Sequence, residues 1–225
     1  MTDAIDKGVA PPTTGLVIHW AARYDLMAWL LTRGRERAFR ERLLDLARLK
    51  PGHSVLDIGC GTGTLAIAAT RHVGSTGSVD GIDASPPMIE RARRKSAKAA
   101  SAAVFQVAIA EQLPFPDARF DVVLSTLMFH HLPRNVRQRC AIEARRVLKP
   151  GGRLLVVDFG KAQSKRGLLA HFHRHGHVDV EDIESMLVHA GFTTVGRGAV
   201  EVRDLQFVLA ETPRDLRTSG QRLER

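Results

Sequence analysis

Short apolar runs alternate with longer segments of helical periodicity over most of the chain. The runs predict strands, because they are too short for helices and are rich in Val, Ile, Leu and Phe. Predicted strands cover residues 54–58, 77–83, 103–107, 120–125, 153–159, 193–195 and 204–210. Predicted helices cover residues 16–31, 35–49, 85–100, 135–148 and 178–190, with another beginning at residue 64.

Several of the predicted strands are apolar at every position, which is typical of a parallel sheet covered on both faces. No helix is predicted between the last two strands, so one of them should run antiparallel. The pattern predicts an α/β fold, a Rossmann-like doubly wound sheet of seven strands. It should be mostly parallel, with one antiparallel strand near the C-terminus and helices on both faces.

Four segments follow from this pattern. Residues 1–14 are polar and contain Pro11 and Pro12, which predicts a disordered N-terminus. Residues 15–50 predict a helical cap before the first strand. Residues 51–210 carry the strand and helix alternation of the main domain, and residues 211–225 form a charged tail that we expect to be loose.

Residues 54–69 read S-V-L-D-I-G-C-G-T-G-T-L-A-I-A-A, a strand, a glycine turn and a helix in direct succession. Such a turn brings backbone N–H groups and the positive end of a helix to the carboxyl edge of the sheet. Glycine also lets a ligand lie against bare backbone. The alternative is an ordinary strand-to-helix turn, but three spaced glycines directly after an acid exceed what a turn requires.

Asp83 closes the second predicted strand and is placed to accept both hydroxyls of a ribose. It could instead cap the following helix, a role that Ser85 could also fill. The loose pattern G-x-G-x-x-G/A does not distinguish NAD from S-adenosylmethionine. The spacing therefore predicts an adenosine-containing ligand and goes no further.

Four longer motifs resemble those of class I S-adenosylmethionine-dependent methyltransferases. Residues 55–66 (V-L-D-I-G-C-G-T-G-T-L-A) resemble their first motif, and residues 81–93 (G-I-D-A-S-P-P-M-I-E-R-A-R) their second-strand motif. Residues 110–133 and 147–159 resemble the next two, in family order. The similarity is greatest to ubiquinone/menaquinone biosynthesis C-methyltransferases and bacterial phospholipid N-methyltransferases, which share the start Ala22-Arg23-Tyr24-Asp25.

The resemblance implies S-adenosyl-L-methionine as the cofactor and a role for each matched residue. Gly59 and Gly61 would line the methionine portion, and Asp57 would set the turn and reach the ligand directly or through water. Asp83 would hold the ribose. The rest of the implied cofactor set is Ala84 on the adenine, Ala110 and Glu111 at its edge, and Cys60 and Ser125 within the matched motifs.

Two departures from the family pattern bear on recognition. Ile109 stands where the family usually has an Asp that accepts from the adenine amino group, so either backbone groups recognise the adenine or the affinity is reduced. The segment 160–177 is shorter than the insertion of the quinone enzymes, which argues against a quinone acceptor.

Methyl transfer from a sulfonium needs positioning and exclusion of water, and it needs a base only if the nucleophile arrives protonated. His131 is the first candidate for base or orienting group, with His130 beside it and Asp158 at the end of the fifth strand. Tyr24 could close over the methyl group. Packing or capping is the alternative for the histidines, and an amphipathic-helix position is the alternative for Tyr24.

The composition and charge of the chain limit the classes of binding partner that are expected. The net charge is +9, but the basic residues are scattered and only 5% of residues are aromatic. Nucleic-acid binding is therefore disfavoured, and peripheral contact with an anionic membrane is better supported. Two cysteines and the absence of a signal-like start predict a cytoplasmic protein. The segment His171–His177 predicts a cationic rim for an anionic acceptor or a solvated loop rather than a metal site.

The sequence thus predicts a methyltransferase acting on a small molecule or a lipid-like acceptor by in-line transfer. An NAD(P)-dependent oxidoreductase on the same sheet and a non-catalytic nucleotide-binding or membrane-surface module are the alternatives. The acceptor atom and the oligomeric state stay open.

Overall fold

The computed structural model describes residues 34–160, 179–200 and 205–214, together with Gly15, Leu30, Thr32 and Val202. In chain order the elements are α1 (Glu36–Leu46), β1 (Ser54–Ile58), α2 (Thr64–Val73), β2 (Ser78–Asp83), α3 (Pro86–Lys98), β3 (Val104–Val107), β4 (Phe120–Thr126), a 3-10 turn (Phe129–His131), α4 (Arg134–Val147), β5 (Leu148–Phe159), α5 (Val180–His189), β6 (Thr193–Ala199) and β7 (Leu205–Glu211).

The seven strands form one sheet in the order β3-β2-β1-β4-β5-β7-β6. Strands β1 to β5 pair in parallel, and β7 runs antiparallel to both of its neighbours. The predicted sheet and its single antiparallel strand are therefore confirmed. Strand order reverses at β1, which lies between β2 and β4, and this is where ligands bind in open α/β sheets.

Helices cover both faces of the sheet, as the sequence predicts. On one face, α1 to α3 pack on a buried cluster that includes Leu44, Val55 and Val122. On the other face, α4 and α5 enclose a second cluster around Phe120, with Val136 and Leu187 among its members. Leu44, Val55 and Phe120 are fully buried. Each such side chain contributes about 1.5–3 kcal/mol relative to an exposed one, so the two clusters hold the sheet rigid beneath the site.

Strand β5 begins earlier than the predicted residue 153. Leu148 already pairs with Phe120, the extra residues of a register shift follow in β5, and regular pairing resumes between Val122 and Arg153. The Oγ1 of Thr212 donates to the carbonyl of Lys149 at 2.7 Å. Thr212 N also donates to Gly152 O at 2.9 Å. The segment Lys149–Gly152, predicted as a helix stop, is held as strand by partners that are distant in sequence.

The same contacts extend the packed chain past residue 210, where the sequence predicts the tail to begin. Apart from Leu30, the predicted helix over 16–31, with Tyr24 within it, and the segment His171–His177 lie outside the described residues. In the part of the chain that the structure describes, no helix combines the length and the apolar character needed to cross a bilayer.

Candidate active site

The turn between β1 and α2 lies at the carboxyl edge of the sheet, where strand order reverses. Cys60 N donates to Ile82 O at 2.9 Å, which ties the turn to β2. Gly59 adopts φ +71°, and a Cβ built there would lie 2.4 Å from Cγ of Met128. A side chain is therefore excluded at this position both by backbone conformation and by the residue that covers it.

Asp83 fastens this turn to the end of β2. Its Oδ2 accepts from Gly61 N at 2.9 Å, and its Oδ1 accepts from Ser85 N at 2.9 Å. Burial raises the pKa of Asp83, and the two N–H donors oppose that shift. Each oxygen keeps capacity for a further donor. The carboxylate thus serves the turn and the start of α3, and it still presents acceptors at the edge of the sheet.

Asp57 lies beneath the same turn and is almost fully buried, with 2% of its surface exposed. Burial and the nearby charge of Asp83 raise its pKa to about 7, against an opposing hydrogen bond from the backbone of Ala66. Two carboxyl groups beside a glycine turn form a site that is electrostatically suited to a cation.

Neutral groups complete the surroundings of the turn. Burial is the main cause that raises the pKa of the Cys60 thiol, so it remains protonated and acts as a small spacer. The hydroxyl oxygens of Ser85 and Ser125 are buried and have no hydrogen-bond partner among the described residues. Ser125 pairs with Ile58 across β1 and β4, so its hydroxyl belongs to the same edge of the sheet. These hydroxyl groups are available to a bound ligand or to water.

The segment after β3 lies beside the end of β2, because Ala108 N donates to Asp83 O at 3.1 Å. Ala84, Ala110 and Glu111 are half-buried on these two segments, as an adenine-lining role requires. Ile109, the residue in place of the family's acid, is buried, with 7% of its surface exposed.

Helix α1 closes one side of the glycine turn and encloses a pocket that the sequence motifs do not include. Glu36 and Arg40 form an ion pair within α1 and both line this pocket. Two charged residues one helical turn apart are also typical of a solvent-exposed helix, so the sequence alone gives no sign of their placement. The lining residues of the pocket are Thr32, Glu36, Phe39, Arg40, Leu43, Asp57, Gly59, Cys60, Thr64, Leu65, Thr126 and Leu127.

A buried histidine–carboxylate pair lies at the carboxyl ends of β4 and β5. His130 Nδ1 is 2.7 Å from Asp158 Oδ1, and His130 N donates to Asp158 Oδ2 at 3.0 Å. His130 is 6% exposed and Asp158 1%. The ring of His131 lies 3.8 Å from that of His130, centroid to centroid. The sequence named these three residues as candidates, but it ranked His131 first and did not pair His130 with Asp158.

The turn that carries the two histidines is held in place from outside. Arg137 on α4 donates through Nε to Phe129 O at 2.8 Å and to Leu132 O at 2.7 Å. Leu127, which lines the pocket, adopts φ +55°, a left-handed conformation that is unfavourable for leucine. Non-glycine residues in this conformation are concentrated at ligand-binding and catalytic sites.

The described residues fit S-adenosyl-L-methionine. The turn offers bare backbone, Asp83 offers acceptors for ribose hydroxyls, and Asp57 offers an acid for the cationic end. The unpartnered hydroxyl groups at the same edge leave polar capacity unused. Cofactor-site residues predicted from the sequence therefore gather around the carboxyl ends of β1, β2 and β4 and the segment after β3, while Tyr24 lies outside the described residues.

Comparisons with known proteins agree with this arrangement. A methyltransferase-domain family model matches residues 55–152. The chain is 38% identical to a ubiquinone/menaquinone biosynthesis C-methyltransferase of Pseudomonas putida, with 78% of each chain covered. It is also 38% identical to the Ralstonia pickettii enzyme of that name, over 63% of this chain and 57% of the other.

A solved S-adenosylmethionine-dependent methyltransferase from Aquifex aeolicus has a TM-score of 0.71 and 23% identity, and the match covers 85% of this chain and 96% of that one. The structural likeness shows the fold, and the sequence matches show the family. The nicotinamide-dependent oxidoreductase and the non-catalytic module are not favoured. The chain belongs to the class I S-adenosyl-L-methionine-dependent methyltransferases, in the group of the ubiquinone/menaquinone biosynthesis C-methyltransferases.

Proposed function

We propose that this methyltransferase acts on a small aromatic acceptor whose hydroxyl group arrives protonated, and that His130 removes that proton. The observation that carries the proposal is the pair formed by His130 and Asp158 at the carboxyl edge of the sheet. A carboxylate only accepts hydrogen bonds, so Nδ1 of His130 must carry the proton of this pair. Its Nε2 is then left as the acceptor, which is the tautomer that a general base requires.

Each part of S-adenosyl-L-methionine is proposed to bind to a different part of the site. When bound, the cofactor supplies a methyl group that is already activated by a sulfonium. Asp83 binds the ribose hydroxyls, Ala84 packs on the adenine, and Ala110 and Glu111 border the adenine edge. Gly59, Gly61 and the adjoining Cys60 lie along the methionine portion.

The pocket under α1 receives the amino-acid end of the cofactor. Arg40 carries the positive charge suited to the carboxylate, and Glu36 and Asp57 carry the charges suited to the ammonium group. Ser125 contributes its buried hydroxyl at the edge of β4. The sequence motif assigns Tyr24 to the methyl-transfer site as well, but this residue lies outside the described residues.

The protein then has to align the acceptor with the methyl–sulfur bond of the cofactor and remove one proton from the acceptor. The acceptor hydroxyl gives its proton to Nε2 of His130, and Asp158 stabilises the imidazolium that results. The oxygen, or a ring carbon made electron-rich by it, would form a bond to the methyl carbon as the carbon–sulfur bond breaks with its electron pair on sulfur. A methylated ring carbon would then lose its own proton, and the oxygen would take one up to restore the phenol. His131 orients the acceptor or His130 through its ring, which lies against that of His130 at an interplanar angle of 45°.

The class of acceptor follows from the proton that has to be removed. The names of the relatives denote C-methylation in ubiquinone and menaquinone biosynthesis. A hydroquinone is a phenol, so the same base would serve it. The shorter segment over 160–177 favours a phenolic acceptor without a long side chain. Cytoplasmic location, supported by the free thiols Cys60 and Cys140, and peripheral contact with anionic membranes belong to the same proposal.

The test is transfer of labelled methyl from S-adenosyl-L-methionine to a panel of phenols, hydroquinones and amines. We expect phenolic acceptors to be methylated by the wild type. His130→Gln should lower kcat by about 100-fold or more and remove the ascending limb of the pH–rate profile. Asp158→Asn should act in the same direction. Cofactor affinity should stay near that of the wild type in both variants.

His189→Gln is the matched control, because His189 lies at the exposed end of α5. It should leave the rate and the pH profile unchanged. A His130→Gln enzyme with the wild-type rate and pH profile would remove His130 as the base. Methylation of amines alone would contradict the proposed acceptor class.

A further inference from the structure

The loop between β3 and β4 (residues 108–119) is held against α4 by one ion pair, formed by Glu143 and Arg146. Glu143 Oε2 accepts from Leu113 N at 2.7 Å. Arg146 donates to Leu113 O at 3.0 Å and to Phe115 O at 2.8 Å. Arg146 Nε also donates to Glu143 Oε1 at 2.8 Å, so the two side chains fix each other as they hold the loop.

Packing makes this attachment rigid. Leu113 and Phe115 are buried, with 4% and 6% of their surface exposed, and the Phe115 ring meets that of Phe120 edge to face at 5.0 Å between centroids. Arg146 also pairs with Asp117 at 2.8 Å. The far end of the loop is held by the hydrogen bond from Ala108 N to Asp83 O at 3.1 Å. The short stretch between these two anchors is the one that carries Ala110 and Glu111.

The stretch has to recognise adenine without the usual side chain. The side chain of Ile109 is apolar and buried, so it cannot accept a hydrogen bond from the 6-amino group. Recognition of that group falls to the backbone and to the half-buried residues beside it. A backbone carbonyl accepts well only within a narrow range of distance and angle, so its placement decides the affinity.

We propose that Glu143 and Arg146 are positioning residues that set the preference of this enzyme for the 6-amino group of adenine. They touch neither substrate nor cofactor, and they act by fixing the backbone of the β3–β4 loop. The inference rests on the placement of adenine beside Ala110 and Glu111 proposed above.

The test compares two ligands that differ at one position of the base. S-adenosylhomocysteine carries the 6-amino group, and S-inosylhomocysteine carries a keto oxygen there. Arg146→Lys keeps the charge, but its one nitrogen cannot replace the three nitrogen atoms from which Arg146 donates to Leu113, Phe115 and Glu143. We expect the Kd of S-adenosylhomocysteine to rise about tenfold and that of S-inosylhomocysteine to change less than about twofold.

Asp121→Asn is the matched control for stability. Asp121 Oδ2 also accepts from a backbone N–H, that of Ser54 at 2.8 Å, and from Lys149 at 2.8 Å. This contact lies at the opposite edge of the sheet, where β1 begins. We expect the variant to lower the melting temperature while the ratio of the two dissociation constants stays at the wild-type value.

The outcomes separate this inference from the proposal on which it rests. If Arg146→Lys lowers the melting temperature but leaves the ratio of the two dissociation constants unchanged, the ion pair of Glu143 and Arg146 has only a structural role. That result would overturn this inference alone. A wild type that binds both ligands equally would also overturn it. A wild type that binds neither ligand would overturn the cofactor placement together with it.

Discussion

Asp57 is the residue whose protonation is best placed to respond to the cofactor. Burial, and to a lesser degree the nearby charge of Asp83, raises its pKa from the ordinary aspartate value of 3.8 to about 7. The folded protein therefore binds this proton more tightly than the unfolded chain does. The contribution of Asp57 to stability accordingly falls as the pH rises from about 4 to about 7.

A cationic ligand beside Asp57 reverses this preference, because it favours the carboxylate. We predict that S-adenosyl-L-methionine binding releases a proton near pH 7 and weakens by about tenfold per pH unit below it. Calorimetry in buffers of different ionisation enthalpy measures the proton directly. Asp57→Asn should bind without proton release, and a wild type with no buffer dependence would contradict the role of Asp57.

Gly59 allows a second prediction at the scale of one residue. Gly59→Ala combines an unfavourable positive φ with a Cβ that meets Met128. Gly74→Ala is a matched control, because Gly74 has φ +67° and nothing within 4 Å of the added Cβ. Its ψ of −168° places it in a region that is essentially restricted to glycine, so we expect Gly74→Ala to lower the free energy of unfolding by about 1–3 kcal/mol from the backbone alone.

Gly59→Ala should lower the stability and also weaken S-adenosylhomocysteine binding, whereas Gly74→Ala should lower the stability alone, as measured by urea unfolding and calorimetry. Equal losses of stability and wild-type binding in both variants would mean that the turn does not need bare backbone at Gly59.

The placement of single residues in the site could be predicted best where a residue directly follows a strand. That Asp83 and the glycines lie together at the carboxyl edge of the sheet could be predicted, because a strand, a turn and a helix are local patterns. The bond between His130 and Asp158 could not, because the residues are 28 positions apart. Their pairing depends on β4 and β5 being neighbours in the sheet.

At the scale of elements, α1 decides what the glycine turn can hold. It brings Glu36 and Arg40 to the pocket, and Glu41 on the same helix bonds His72 of α2 at 2.8 Å. The helix could be predicted from its amphipathic pattern. Its docking on α2 could not, because exposed charged positions carry no sign of the partner they meet.

Arg40→Ala tests which end of the cofactor the pocket receives. We predict that the Kd of S-adenosylhomocysteine rises about tenfold, since one charge-assisted contact is lost. The Kd of 5′-methylthioadenosine should not change, because that ligand lacks the amino-acid end. Arg37→Ala, at an exposed position of the same helix, should leave both constants unchanged. Equal weakening of both ligands by Arg40→Ala would contradict the assignment.

Strand β5 shows where a local pattern fails for an element. Pro150 and two glycines predict a break, yet the strand begins at Leu148. Pairing with β4 and the bonds from Thr212 outweigh the preference of the segment itself. Boundaries set by such distant partners are not present in the sequence pattern.

For the whole molecule, strand order places the site. Alternating strands and helices predicted a doubly wound sheet, and the reversal at β1 brings Asp57, Asp83 and Ser125 to one edge. The attachment of the β3–β4 loop to Glu143 and Arg146 could not be predicted from the sequence, because an acid and a base three residues apart on a helix usually face solvent.

Cofactor binding by this protein depends above all on the glycine turn and Asp83, which we propose hold the adenosyl group together. Calorimetric titration of S-adenosylhomocysteine into wild type, Asp83→Ala and Asp80→Ala tests it most directly. Asp80 lies on the same strand but pairs with Arg119 at 2.8 Å, away from the turn. We predict saturable binding by the wild type and Asp80→Ala, and a loss of about 100-fold or more in Asp83→Ala. Wild-type affinity in Asp83→Ala would contradict the account.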